Sequence, residues 1–406
     1  EVKDATSHLI LPMTISMGIA CGAPSLPELG QLAQTSLDIA LGRGGDQVAV
    51  KSGDRVSFYG GKSNAVEKRT RVRARVISHA LRELIRDSDR IVVMGHKSPD
   101  MDAIGAAIGI ARAAEVFDKP AFIVLESANP SIERLMDMIS QDADLANKFV
   151  TPEYALHLTQ EKTLAVVVDT HKASFLAEPR ILTQSKRIVV VDHHRRGEEF
   201  IGDATLVYME PYASSTCELV TELLQYIHEG LSLGVLEATA LLAGMVTDTK
   251  SFSVRTGSRT FEAAAFLRRN GADSALVQRL LKDDLQGFLT KAEIIRHARM
   301  VHGKYAVAAA PPGQRYPQVI IAQVADTLLN MNGVVASFVI CERTDGLVGI
   351  SARSLGQVNV QLIMEALGGG GHLTNAAVQL EGTTREAEAK LLQALQEYHE
   401  REGTVE

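Results

Sequence analysis

Between residues 90 and 192, four short runs recur in which nearly every position is apolar: Ile91-Val92-Val93-Met94-Gly95, Ala121 to Leu125, Leu164 to Val168 and Ile188 to Val191. Strands that show one face to water alternate; strands covered on both faces do not. The runs are separated by helical stretches, so the pattern predicts a parallel sheet with helices on both sides. Helix-spaced apolar residues predict helices over Ala103 to Phe117, Ser214 to His228, Gly234 to Met245 and Arg259 to Arg269, and a polar helix from Asp283 to Met300 leads out of this region. Beyond it a smaller α/β unit is expected. Its strands are Tyr305 to Ala310, Gln318 to Gln323, Val334 to Glu342 and Leu347 to Arg353, with a loop at Pro311-Pro312-Gly313 and an amphipathic helix from Asn359 to Leu367.

The first 60 residues read as a separate small block. Met13 to Ala20 alternates like a half-buried strand, Leu26 to Leu41 has helical spacing, Gly42-Arg43-Gly44-Gly45 stops that helix, and Gln47 to Lys51 reads as another strand. Gly60 to Asn64 is a linker candidate, followed by a basic helix, Val66 to Arg86, whose Lys68, Arg69, Arg71, Arg73 and Arg75 form a solvated face.

Composition narrows the class. With 406 residues, 46% of them hydrophobic and 22% charged, the chain has material for two or three ordinary globular domains. A net charge of −7 argues against coating long nucleic acid, which calls for a basic surplus. Cys21, Cys217 and Cys341 are too dispersed for a metal motif or a disulfide framework and are expected to be buried small hydrophobes in a reducing compartment. No stretch reaches the roughly 18 apolar residues that span a bilayer; the nearest, Leu9 to Ala23, is broken by Pro12, Thr14, Ser16 and Gly18. The chain opens on Glu1 and not on Met, so a preceding segment is expected.

Acids and histidines cluster where the predicted strands end. His96-Lys97-Ser98-Pro99-Asp100-Met101-Asp102 follows the first run, Asp169-Thr170-His171 the third and Asp192-His193-His194 the fourth, while Asp248 follows an apolar helix. The carboxyl edge of an open α/β sheet is where such folds bind ligands. A single Asp there is ordinarily a helix cap, and Asp102, standing before the Ala103 helix, suits that role. Asp100, Asp102, Asp169, Asp192 and Asp248 gathered at one edge would repel each other unless cations held them. Mixed carboxylate and imidazole without cysteine excludes a thiolate zinc site and favours Mn²⁺, with Mg²⁺, Co²⁺ or Fe²⁺ compatible. Some six ligands suffice for two ions sharing a carboxylate, an arrangement suited to in-line displacement at phosphorus. Lys172, Arg195, Arg196 and Arg255 are candidate phosphate partners. In the second unit, Gly368-Gly369-Gly370-Gly371-His372 would let backbone amides approach a phosphate, and Ser351-Ala352-Arg353 could add a charged clamp.

His96 to Gly105, Asp169-Thr170-His171, Asp192-His193-His194 and Asp248, in that order, resemble the four motifs of the DHH phosphoesterases, and Gly368 to His372 resembles the glycine-rich motif of their associated C-terminal domain. The likeness covers about residues 80–400. Met13 to Val48 is similar to the last third of a GGDEF domain. Gly44-Gly45-Asp46 follows the terminal helix of that segment, so it is not the signature hairpin of the fold, which would precede Glu1. A degenerate GGDEF segment fused directly to a DHH module resembles the membrane-anchored cyclic di-AMP phosphodiesterases of this family.

The resemblance implies an α/β fold: a parallel-sheet DHH domain, a second, smaller α/β domain and an N-terminal partial GGDEF-like α+β segment. Domains would run 1–62, 63–282 and 304–406, with a linker helix at 283–303. It implies that His96, Asp100 and Asp169 hold one Mn²⁺ and that Asp102, Asp169, His193 and Asp248 hold the other. His194 and Asp192 would be catalytic, with His194 meeting the scissile phosphate, and Arg353, Gly369, Gly370, Gly371 and His372 would grip the nucleotide. The implied reaction opens cyclic di-AMP to linear 5′-pApA without a protein nucleophile. A homodimer, inhibition by ppGpp and a cytoplasm-facing position beneath a membrane anchor are further family implications. Two other readings stay open: a short-oligonucleotide exonuclease or 3′-phosphoadenosine phosphatase of the same superfamily, and a nucleotide-sensing module.

Overall fold

The computed structural model describes residues 15–22, 25–42, 47–53, 55–60, 71–196, 199–282, 285–371 and 373–403, and the counts below refer to these. The chain divides into one unit ending at Leu281 and a second beginning at Lys282.

The first unit opens with a small three-stranded sheet. Strand β1 (Met17–Cys21) runs parallel to β2 (Gln47–Ser52) through the helix Leu26–Gly42, and β2 pairs antiparallel with β3 (Arg55–Gly60). Residues 43–46, the expected glycine stop, the linker candidate at 61–64, and Lys68 and Arg69 lie outside the described residues. The basic helix is Arg71–Arg86. Its arginines do more than face solvent: Arg71 reaches Glu262 at 2.6 Å, and Arg73 reaches the buried Glu210 at 2.8 Å.

The main sheet has six strands, all parallel: β4 (Arg90–Met94), β5 (Ala121–Val124), β6 (Phe149–Val150), β7 (Thr163–Val168), β8 (Arg187–Asp192) and β9 (Leu206–Met209), in the order β6-β5-β4-β7-β8-β9. All six residues of β7 are buried, as a run with no polar alternation demands. The chain builds outward from β4 through β5 and β6, then returns to the other side of β4 with β7. Strand order therefore reverses between β4 and β7, and crevices form at the carboxyl ends of strands at such a reversal.

Over this sheet the helices Met101–Glu115, Thr216–Ile227 and Val235–Asp248 pack closely, and small residues make the approach possible. A Cβ on Gly105 would sit 2.6 Å from the Ala240 carbonyl oxygen and 2.7 Å from Cys217 Sγ; one on Gly244 would sit 2.5 Å from Cys217 Sγ and 2.9 Å from Asp102 Cα. Cys217 is buried at this junction and Cys341 in the second unit, whereas Cys21, at the end of edge strand β1, is exposed. The expectation of three buried cysteines thus fails at Cys21, where no neighbouring strand covers the outer side of β1 among the described residues.

The second unit is a mixed sheet ordered β10-β11-β13-β14-β16-β15, with β12 (Arg315–Tyr316) pairing β13. Its strands are β10 (Ala298–Val301), β11 (Tyr305–Ala309), β13 (Ala336–Arg343), β14 (Val348–Ser354), β15 (Gly370–Gly371) and β16 (Asn375–Leu380). The expected strand Gln318 to Gln323 is instead the first half of the helix Gln318–Leu329. Val319-Ile320-Ile321 has strand propensity, but Ile321, Val324, Ala325 and Leu328 fall at helical spacing and all are buried, so packing overrides the local preference. The helix expected from Asp283 to Met300 is Leu285–Ile295, and Ala298–Val301 forms edge strand β10 instead. Asp283 lies outside the described residues.

Because Gly244 lies against both Cys217 and Asp102, Gly244→Ala should overpack the helix junction. A stability loss of about 1–3 kcal/mol is expected in urea unfolding. An unchanged midpoint would show that these helices can move apart freely.

Candidate metal centre

Each acidic residue is delivered by a specific local structure. Asp100 precedes the helix Met101–Glu115 and caps it, its Oδ1 accepting from the amides of Asp102 at 2.9 Å and Ala103 at 3.0 Å. The capping role expected of Asp102 belongs to Asp100, because the helix begins one residue before Asp102. Asp102 is fully buried, and its two oxygens accept from the amides of Thr216 at 2.6 Å and Cys217 at 2.8 Å. Those amides open the helix Thr216–Ile227, whose positive end favours an anion. Asp169 stands just past β7 with φ 59°, a left-handed conformation that Asp tolerates better than most residues. Its amide donates to the Val191 carbonyl at 3.0 Å, and Thr216 Oγ1 donates to its Oδ1 at 3.0 Å. Asp248 is the last residue of Val235–Asp248.

These residues converge on one pocket. His193 Nε2 lies 3.2 Å from Asp248 Oδ2, 3.5 Å from Asp169 Oδ1 and 3.9 Å from Asp102 Oδ2. His96 Nε2 lies 3.5 Å from Asp169 Oδ2. Among the described residues three sets of side chains could each surround a cation, with ligand atoms within 4.8 Å of one another: His96, Asp100 and Asp169; Asp102, His193 and Asp248; Asp169, His193 and His194. The six residues expected as metal ligands are all in these sets. Asp169 and His193 each belong to two of them, so the three sets form one continuous cluster.

The charges show what the pocket lacks. Burial pushes the Asp169 carboxyl well above its usual range, and the neighbouring carboxylates of Asp102, Asp100, Asp248 and Asp192 push it further. Burial, with Asp248 next, raises Asp102 to about 6. Burial disfavours a charged His193, but the carboxylates of Asp248 and Asp102 beside it outweigh that and raise its pKa to about 9. In effect the pocket takes up protons in place of positive charge. His193 Nε2 is also buried without a well-formed hydrogen bond. An imidazole nitrogen left so among carboxylate oxygens fits a divalent cation held by hard and borderline donors. The thiol of Cys217 does not join the set; its Sγ donates to the Asp102 carbonyl at 3.3 Å, and burial raises its pKa well above the usual range.

Asp192, expected as catalytic, is fully buried and belongs to none of the three sets. Its Oδ2 lies 2.5 Å from His171 Nδ1, and its Oδ1 lies 2.8 Å from His194 Nδ1 and accepts from the His194 amide at 3.0 Å. Burial opposes its charge, yet the two imidazoles hold it far below the ordinary carboxylate range. Held through Nδ1, His194 remains half exposed. Sequence reasoning missed the contacts of His171 and Thr216. His171 was visible beside Asp169, and Ser214-Ser215-Thr216 marked a helix start, but neither signal named the partner.

In the second unit, Arg353 extends from β14 with Nε 3.1 Å from Asp326 Oδ1 and Nη1 donating to Ser351 Oγ at 3.2 Å and the Ala352 carbonyl at 3.0 Å. The glycine run is partly strand, since Gly370–Gly371 pair with β16. A Cβ on Gly369 would lie 2.3 Å from the Ala377 carbonyl oxygen, and one on Gly371, at φ 149°, 2.5 Å from Ala376 Cα; around Gly370 nothing comes within 4 Å. Two of these glycines are thus required by the sheet itself, and Gly370 is not. His372 lies outside the described residues.

Family comparisons agree with this layout. Residues 90–245 match the DHH family N-terminal domain, residues 302–401 the DHHA1 domain, and residues 1–58 the GGDEF domain of cyclic-di-AMP phosphodiesterase GdpP-like proteins. The chain is 57% identical over 404 residues to the cyclic-di-AMP phosphodiesterase GdpP of Geobacillus thermodenitrificans, covering 98% of this chain and 61% of that protein. It is 54% identical to its namesake from Bacillus subtilis, covering 98% of this chain and 62% of the other. The chain therefore spans about three fifths of the length of these relatives. The bifunctional oligoribonuclease and PAP phosphatase NrnA of Thermus thermophilus is 26% identical over 84% of this chain and 98% of its own. An exopolyphosphatase-related protein from Bacteroides fragilis shares the fold, with a TM-score of 0.68 at 21% identity over 80% of this chain and 96% of that one. With the ordered acidic motifs at the sheet edge, the chain carries a DHH-family N-terminal domain, a DHHA1 domain and a GdpP-like GGDEF segment.

Proposed function

We propose that this chain hydrolyses cyclic di-AMP to linear 5′-pApA, using two divalent cations, Mn²⁺ in preference to Mg²⁺ or Co²⁺. The carrying observation is the buried carboxylate–imidazole pocket in which Asp169 is common to two ligand sets. In this reading His96, Asp100 and Asp169 hold one cation, and Asp102, Asp169, His193 and Asp248 hold the other. When bound, the cations supply an activated water and neutralise charge developing on the phosphate.

The protein's own contribution is positioning. The Thr216 and Cys217 amides fix the orientation of Asp102, and Thr216 Oγ1 fixes Asp169. Asp192 holds His194 by Nδ1, leaving Nε2 for a phosphate oxygen. Arg353 and the Gly369 to His372 segment bind the nucleotide from the DHHA1 domain. The proposed domain limits are 1–62, 63–282 and 304–406, with a linker helix at 283–303. The proposal extends to a homodimer, inhibition by ppGpp, and a longer protein anchored in the membrane with this portion facing the cytoplasm.

The first test is turnover of cyclic di-AMP with Mn²⁺, with linear pApA, cyclic di-GMP and 3′-phosphoadenosine alongside. Formation of pApA, abolished by EDTA, is the expected result. Rapid loss of linear substrates with the ring untouched would favour an NrnA-like activity, and tight binding without turnover a sensor.

Asp169→Asn should lower kcat by more than about a hundredfold, and Asp192→Asn, which disturbs the hold on His194 and His171, by about 10–100-fold. Full activity in Asp169→Asn would eliminate the shared-ligand reading. Asn suits the left-handed backbone at 169 better than Ala, so the loss reports charge and not strain.

The pocket also sets a pH dependence. Without cations, the raised Asp102 pKa makes a stability contribution that is fully present below about 3.8 and lost as pH rises through about 6. Cations need the ionised carboxylates and compete with the proton that His193 holds up to about 9. The rise in Tm on adding Mn²⁺ to EDTA-treated protein should therefore grow from pH 5 to pH 7.5. An equal rise at both values would exclude proton displacement from the pocket.

A further inference from the structure

Two exposed phenylalanines stand on the loops that carry the candidate metal centre. Phe175 is 54% exposed and Phe200 37% exposed. Phe175 closes a short excursion that begins at Asp169. The chain turns through His171 and Lys172 into a single 3₁₀ turn, Ala173–Phe175, and the Phe175 carbonyl accepts from the Lys97 amide at 2.8 Å, the residue after His96. Phe200 lies on the loop after Asp192-His193-His194, and the Ile201 amide beside it donates to the His171 carbonyl at 2.9 Å.

The two loops are tied together. Glu199 accepts from the Ser174 amide at 2.8 Å and from Ser174 Oγ at 2.7 Å, and these bonds hold its carboxyl below the ordinary range. Each ring also has a cation on one face: Lys172 Nζ lies 5.0 Å from the Phe175 centroid, and the Arg196 guanidinium carbon lies 3.5 Å from that of Phe200. The Arg196 Nε is buried without a hydrogen-bond partner. Water-facing rings at the rim of an acidic pocket bury no core surface. A flat ring with a cation beside it is what a nucleobase and its phosphate require, since the base stacks on the ring or on the guanidinium plane while the cation meets the phosphate.

We propose that Phe175 with Lys172, and Phe200 with Arg196, are base-stacking platforms that hold the purines of the substrate, with the Glu199–Ser174 tie fixing one loop against the other. The proposal rests on the nucleotide-hydrolase reading above and adds the means by which the DHH domain recognises the bases. Stacking makes no base-edge hydrogen bonds, so the platforms select purine over pyrimidine and do not separate adenine from guanine.

The test uses the full chain with Mn²⁺ and compares Phe175→Ala and Phe200→Ala with the parent on cyclic di-AMP and on pApA. Removing uniform binding raises KM and spares kcat. The expected result is a KM higher by about tenfold in each variant, with kcat within about twofold and Tm unchanged, as suits exposed side chains. Phe175→Trp should restore the parental KM, and Phe175→Leu, apolar but without a ring, should not. An unchanged KM in both alanine variants overturns the platforms, as does full rescue by leucine. A parent chain that cleaves only pApA refutes the cyclic substrate but leaves the platforms to be judged on pApA. A parent that cleaves neither overturns the nucleotide reading and the platforms with it.

Discussion

Mutual repulsion among buried carboxylates is the constraint around which the first unit is organised. Asp102, Asp169 and Asp192 are buried, Asp100 and Asp248 stand beside them, and no lysine or arginine is paired with them among the described residues. Compensation comes from elsewhere. Asp102 has the amides that open the helix Thr216–Ile227, Asp192 has two imidazoles, and Asp169 has one hydroxyl and its neighbouring histidines. What these leave uncancelled falls on Asp169 and Asp102, beside which His193 presents its buried nitrogen. Close helix packing follows from the same need, since backbone amides can reach Asp102 only if Gly105 and Gly244 let Cys217 in.

Much of this was legible in the sequence because it depends on repeating local signals. Runs such as Leu164 to Val168 announce a strand buried on both faces, and an acid immediately after such a run lies at its carboxyl end whatever the remaining topology. The site residues of the first unit could therefore be named, and the structure brings all six expected ligands together. Other features depend on long-range packing. The helix Gln318–Leu329 was misread as a strand because Val319-Ile320-Ile321 is locally ambiguous, and only the sheet beneath it selects the helical face. The division of labour between Asp100 and Asp102 turned on a one-residue shift in helix start, which composition does not fix. Thr216 and Cys217 contribute backbone amides, which carry no residue-type signature.

The glycine run of the second unit shows how a motif can serve two demands at once. Gly369 and Gly371 are excluded from bearing side chains by Ala377, Val378 and Ala376 of strand β16. Their presence alone is therefore explained by sheet packing. Gly370, with open space around it, is the position whose smallness the sheet does not need. Within four consecutive residues, glycines that packing requires thus stand beside one that it does not. Arg353 is similarly divided, with Nε committed to Asp326 and the guanidinium anchored at one edge, which fixes its direction at the cost of some of its hydrogen-bonding capacity.

The pocket draws on segments scattered from His96 to Asp248, and even the amides that steady Asp102 come from a chain segment more than a hundred residues away. Each of the three ligand sets joins segments from separate strand–loop units. The site therefore depends on non-local contacts, the class of contact that slows folding. In the unfolded chain these carboxylates stand in water and apart from one another. The electrostatic cost belongs to the folded state, so a cation bound in the pocket would stabilise that state against the unfolded one.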